Sequence, residues 1–207
     1  MKKIIFIILI ILTLFLSSSC KSSQQFEDSI PIDLPPLRDD VFTPDEQGFI
    51  EIVFPESILG GWSAEKFLDE AISDPKYMDL ITDIVVNEDG TVTMILTMEN
   101  LLQYRSNMHL YGQLQHGGHN FPSIKKVIYE TEMLTEITVW VDKDSYAQSG
   151  FERIASNIAV ALYAGTFQVL SGVAPDDWHT TITVKDFRTG EVISDNYFPR
   201  DDMYKSY

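Results

Sequence analysis

DIVVNEDGTVTMILTMEN, residues 83–100, is the stretch whose reading decides the fold. The chain from Leu80 to Val86 is β-branched and apolar, Asn87-Glu88-Asp89-Gly90 has turn chemistry, and Thr91 to Met98 alternates. Successive strand side chains point to opposite faces. Val92, Met94, Leu96 and Met98 therefore share one face, and Thr91, Thr93, Ile95 and Thr97 share the other. From about Glu99 the period becomes helical. Leu101, Tyr104, Met108 and Tyr111 keep that spacing towards Leu114, and Gly117-Gly118 ends the helix.

Downstream the same order recurs. Ile124 to Glu130 and Thr135 to Val141 read as a second hairpin, with Ile137, Val139 and Val141 on one face and Thr138 and Trp140 on the other. A helix follows from about Ser145 to Leu170. Thr180 to Phe187, the Arg188-Thr189-Gly190 turn and Val192 to Phe198 make a third hairpin. Strand–turn–strand–helix twice, then strand–turn–strand, predicts an α+β domain. Its expected form is one antiparallel sheet of about six to seven strands with helices packed on one face.

The 145–170 helix belongs at the centre. Phe151, Ile154, Ala155, Ile158, Leu162, Gly165, Thr166 and Val169 form a broad stripe, and Ala159, Ala161 and Ala164 keep the adjacent faces small. A helix apolar nearly all round is a core helix or a membrane span. Ser156, Asn157, Thr166 and Gln168 favour the core.

Upstream, Phe49 to Phe54 alternates weakly and stops at Pro55, a further strand. Ser63 has the chemistry of an N-cap, Trp62 is placed to staple against Phe67, and Phe67, Leu68, Ala71 and Ile72 share a helical face before Asp74-Pro75. Residues 21–47 hold four prolines, several acids and no sustained period, the composition of a tether. The domain is accordingly placed at 48–207 and the tether, with its cysteine, at 20–47.

Residues 1–19 read as a secretory leader: Lys2 and Lys3, an apolar run from Ile4 to Leu16, then Ser17, Ser18 and Ser19 before Cys20. The run is short for a span, which needs about 20 apolar residues. Small residues leading to a cysteine resemble the lipobox of bacterial lipoproteins, although Ser17 stands where that pattern prefers leucine. The resemblance implies cleavage before Cys20, a diacylglyceryl group on its thiol, and a chain held on the outer face of the cell membrane. An uncleaved anchor is the alternative, and it too puts the domain outside the cytoplasm.

The chain carries 15 basic and 31 acidic residues, a net charge of −16. Without the leader it has 13 against 31, or −18. Such a surface disfavours nucleic acid and anionic lipid as partners, so membrane attachment is expected through the lipid anchor. Cys20 is the only cysteine, which leaves the domain to its core for stability and suits a Gram-positive surface protein.

The remaining constellations have ordinary explanations. His116-Gly117-Gly118-His119, with His109 two turns earlier, is the one histidine cluster and the basis of a metal-dependent hydrolase alternative. A metal site needs three or four placed ligands and only two are adjacent here. No metal, cofactor or catalytic residue is therefore assigned. Ser63-Ala-Glu-Lys66 matches S-x-x-K without the partner motifs of penicillin-recognising enzymes. Asp142-Lys143-Asp144 starts like a calcium loop but lacks its distal ligands, and reads as the acidic start of a helix. Asp176-Asp177-Trp178-His179 reads as a solvated turn.

Residues 83–100, FPSIKKVIYETEMLTEITVWVDKDSY (121–146) and RTGEVI (188–193) resemble a group of uncharacterised Firmicutes surface lipoproteins, some labelled for an antigen I/II N-terminal domain. The resemblance spans about residues 60–198. It implies a surface lipoprotein and carries no reaction or site residue.

Trp140, Phe187, Ile95 and Thr138 fall on the faces that the helices are expected to leave open. Aromatics on a rigid sheet are typical recognition anchors. The expected function is thus non-catalytic binding or protection at the cell surface, through a protein or cell-envelope ligand. An immunity lipoprotein that blocks a secreted toxin is an alternative within the same class.

Overall fold

The computed structural model describes residues 37, 41–59, 63–67, 79–115 and 121–199, with the backbone alone for 107–115 and 151. Three strands form the first sheet: β1 (Phe49–Phe54), β2 (Asp83–Val86) and β3 (Val92–Thr97), in the order β1-β3-β2. All pairing is antiparallel, with Val86 opposite Val92 and Phe54 opposite Val92 on the other edge. The β2–β3 turn is held by side chains. Asp89 accepts from the Thr91 N–H at 3.0 Å and its hydroxyl at 2.7 Å, and the Asn87 amide donates to Thr91 and Thr93. Gly90 supplies the positive φ, +84°, that the turn requires.

Helix α1 (Met98–Gln115) follows directly. The second sheet then forms from β4 (Ile124–Tyr129), β5 (Glu136–Val141), β6 (Thr180–Asp186) and β7 (Val192–Phe198), paired in that order. Between β5 and β6 lie α2 (Lys143–Gln148) and α3 (Gly150–Val169).

The α+β class and the three hairpins are as the sequence predicts, but the single antiparallel sheet is not. The seven strands divide three and four, and β5–β6 is parallel, Val139 opposite Val184. Two physical reasons account for this. β1 takes the edge of β3 that β2 leaves free, so β3 has no edge for β4. The α2–α3 connection carries the chain back along the sheet, so β6 enters in the direction of β5, as a helical crossover requires.

Both sheets bury the faces that alternation selects. Val92, Met94, Leu96, Ile137, Val139, Val141, Ile182 and Val184 are all 2% exposed or less. Burying each such side chain contributes about 1.5–3 kcal/mol. Helix α3 serves both sheets, touching β1 and the 3-10 turn Glu56–Ile58 as well as β6 and α1.

The long predicted helix is two helices. Asp142 caps α2 through the Ser145 N–H at 3.1 Å, and Ser149 interrupts the chain to cap α3 through the Glu152 N–H at 3.1 Å. The stripe is also displaced. Ile154 is 40% exposed, whereas Ala161, Ala164 and Phe167 are fully buried, because alanines let the helix backbone approach its neighbours. Gly165 extends that approach. The Trp178 ring lies where a Cβ on Gly165 would stand, 2.7 Å from the nearest ring carbon.

Trp178 corrects a second expectation. It is not part of a solvated turn but is 2% exposed, and its indole N–H donates to the Ser57 hydroxyl at 3.0 Å. Ser63 caps as expected, accepting from the Lys66 N–H at 3.3 Å. Trp62, Leu68, Ala71 and Ile72 lie outside the described residues. Before β1, Leu37 and Phe42 pack against the core and Val41 lies over Gly172.

Candidate functional site

Each strand of the second sheet has one face on the core. The opposite face is covered by no described element, and strand register arranges it in three rows. The first is Lys126, Trp140, Lys185 and Val192, and the second is Ile128, Thr138, Thr183 and Asp195. The third joins Glu136, Thr181 and Tyr197 to Glu130, whose N–H donates to the Glu136 carbonyl at 2.9 Å. One end of the face is therefore basic and the other acidic.

In the first row, Lys185 Nζ lies 5.6 Å from the centre of the half-buried Trp140 ring, within cation–π range. The Trp140 indole N–H is buried and has no acceptor among the described residues. Phe187 lies two residues beyond Lys185, just past the end of β6. Its N–H extends the β6 ladder to the Val141 carbonyl at 2.8 Å, and its side chain is 56% exposed. Tyr197 and Val192 are also more than 45% exposed.

Between the second and third rows lies a depression of about 360 Å³, lined by Glu130, Glu136, Ile137, Thr138, Thr181, Thr183 and Lys185. Thr138 is only 4% exposed and forms part of its floor. Thr183 donates to Asp195 at 2.7 Å.

The β4–β5 turn that carries the two glutamates is tightly held. The Thr131 hydroxyl accepts from the N–H groups of Thr135 and Glu136. Leu134 sits at φ +57°, unusual for a branched residue, with its side chain 1% exposed. Its carbonyl accepts from the Thr180 hydroxyl at 2.8 Å. Burial of the leucine stabilises a backbone conformation that it would not otherwise favour.

Of the sequence-predicted anchors, Trp140, Thr138 and Phe187 share this sheet. Ile95 does not. It lies half-buried on the first sheet in a row between Glu51 and Asp83, so the division of strands separates it from Trp140. Lys126, Glu130 and Glu136 were not among the predicted anchors. Their signal is the alternation of Lys126, Ile128 and Glu130 in β4, which places them opposite Trp140 and Thr138 once the register is known.

At the basic end, polar contacts tie the last hairpin to α2. Arg188 pairs with Asp142 at 2.7 Å and Lys143 with Glu191 at 2.7 Å. The Ser145 N–H and hydroxyl, followed by the charge of Arg188, hold the Asp142 carboxyl below its usual range. Asp142-Lys143-Asp144 is thus a helix start, as read from the sequence. These pairs explain Arg188 and Lys143, but not Lys126 or Lys185, which join no salt bridge among the described residues.

His109 lies within α1, its side chain not described, and Cys20, His116 and His119 lie outside the described residues. Among the described residues no three His, Cys, Asp or Glu side chains are grouped to hold a metal. No described helix is long and apolar enough to cross a membrane. Comparison with known proteins finds no matching family model, no matching curated relative and no matching solved structure.

Proposed function

We propose that the protein is an extracytoplasmic lipoprotein, anchored through a diacylglyceryl group on Cys20, whose domain binds a cell-envelope ligand without catalysis. The anchoring half rests on the leader pattern and the residues before Cys20. The binding half rests on one observation: a tryptophan and two lysines that join no salt bridge among the described residues share a row on a sheet face that no described element covers. Side chains on paired strands are held in place, so little ordering entropy opposes recognition there.

The test has two arms on the full chain. Wild type is expected to incorporate labelled fatty acid and Cys20→Ser to incorporate none; equal label in both ends the anchoring claim. Trp140→Ala is expected to lose retention by envelope material freed of membrane lipid, to which the anchor cannot contribute, while keeping most of its thermal stability. Full retention in the variant would remove the sheet face from the function.

A further inference from the structure

The arrangement of charge on the open face says what kind of ligand fits it. We infer that this face takes an acidic glycan, with a carboxylate or phosphate substituent at Lys126 and Lys185 and the sugar hydroxyls over the threonine-lined depression. The inference rests on the binding role proposed above and names its ligand.

Three observations carry it. The first is the position of the cations. Cations are scarce in a chain of net charge −16, yet two of them flank Trp140 in one row. Lys126 is on an edge strand, where lysine commonly serves to block strand addition. Lys185 is on β6, between β5 and β7, so edge protection does not explain it.

The second is the depression. Among the described residues Ile137 is the only apolar one in its lining; the rest are threonine, glutamate and lysine. Small-molecule pockets are usually lined by apolar side chains with few polar groups, so this lining selects a ligand rich in hydroxyls. Carboxylates and threonine oxygens accept from sugar hydroxyls, and the half-buried Trp140 and exposed Phe187 offer aromatic surface, whose electron-rich ring faces attract a sugar's C–H groups.

The third is polarity. Glu130 and Glu136 lie four residues along their strands from Lys126 and Trp140, about 13 Å at the strand rise. Their carboxylates repel an anionic group at that end. A ligand carrying its charge at the lysine end fits in one direction only, which is specificity by exclusion. The same two carboxylates work against nucleic acid, whose charge is continuous. A peptide reading a sheet would use the backbone of an edge strand and apolar pockets, and the depression offers neither.

The experiment is calorimetric titration of the full chain in detergent micelles. The probes are an oligosaccharide of alternating glucuronic acid and N-acetylglucosamine, its carboxyl-reduced counterpart, and a phosphorylated N-acetylglucosamine oligomer. At least one acidic probe is expected to bind, with affinity falling as salt rises. The reduced oligosaccharide is expected to bind about tenfold more weakly, the scale of one lost charge-assisted contact. Lys126→Gln and Lys185→Gln should each weaken binding by a similar factor, and the exposed Arg153→Gln on α3 should not. Lys126 is exposed on an edge strand, so that variant keeps the test valid even if Lys185→Gln perturbs folding. No binding of either acidic probe, equal affinity for the reduced form, or equal loss in Arg153→Gln overturns the inference. If Trp140-dependent envelope retention persists while every probe fails, the glycan is wrong and the surface-binding role stands.

Discussion

Gly165→Ala is the substitution that most directly tests how α3 is seated. A methyl group there would stand 2.7 Å from one carbon of the Trp178 ring and 2.9 Å from two more. Carbon atoms favour separations of about 3.5–4.0 Å, so one partner has to move by nearly 1 Å. The indole has little room to do so, being 2% exposed and bonded to Ser57 at 3.0 Å. Overpacking of this kind costs about 1–3 kcal/mol, and displacing the indole weakens a hydrogen bond that contributes about 1 kcal/mol. Against this, alanine gains about 1 kcal/mol over glycine in a helix interior. The balance is a net loss of about 1–3 kcal/mol, which at this chain length lowers the melting temperature by about 2–12 °C. Urea denaturation followed by far-ultraviolet circular dichroism gives the free energy directly. Gly150→Ala is the control, because a Cβ there meets nothing within 4 Å, and it should be neutral or slightly stabilising. Adding Trp178→Phe removes the clashing benzo carbons, so the double mutant should show coupling of at least about 0.5 kcal/mol. A Gly165→Ala protein as stable as wild type would refute the placement of Trp178 against α3.

Two further outcomes follow from the same packing. Ser149→Ala removes the α3 cap at Glu152 N and should cost about 1 kcal/mol in urea denaturation, with the circular dichroism spectrum unchanged. Tyr129 and Tyr163 pack at a ring separation of 5.8 Å, and burial raises both hydroxyls above the ordinary tyrosine value. Unfolded tyrosines ionise near pH 10, so above that value the unfolded chain holds fewer protons than the folded one and stability falls. Stability should show no tyrosine contribution below about pH 10 and decline above it; Tyr129→Phe should flatten that decline, and an unchanged slope would contradict the burial.

Much of the local structure was legible because its signals are local. The Asn87–Gly90 turn, the alternation of β3 and β5, and the acidic start of α2 each depend on residues within a few positions. The break at Ser149 was missed, because the apolar stripe reads as continuous through it, although Ser149-Gly150-Phe151-Glu152 has the form of a capping box. Glu152 then departs from that motif. Its carboxylate accepts from the Ser123 N–H and hydroxyl, so the residue that would close the cap instead ties α3 to the start of β4. The division into two sheets was not legible in this way. It depends on which strand wins the free edge of β3, a contest between β1 and β4, segments about 70 residues apart, decided by packing rather than by period. Trp178 was missed for a similar reason. Its neighbours Asp176, Asp177 and His179 are exposed, and only the missing side chain at Gly165 makes room for its ring.

The candidate site follows the same division between local and non-local information. That Trp140 points away from the core could be read from β5 alone, since Val139 and Val141 fix the parity of the strand. What surrounds Trp140 could not, because each neighbour comes from a different strand. Lys126 reaches its row only through the irregularity between Ile124 and Lys126, which resets the parity of β4. Lys185 reaches it only because β6 runs parallel to β5 in a register that sets Trp140 beside it. A one-residue slip in that pairing would put Val184 beside Trp140 and turn Lys185 towards the core. The β4–β5 hairpin therefore sets Lys126 beside Trp140 and the two glutamates at the other end, and the connection that buries α3 brings Lys185 to the same row from β6.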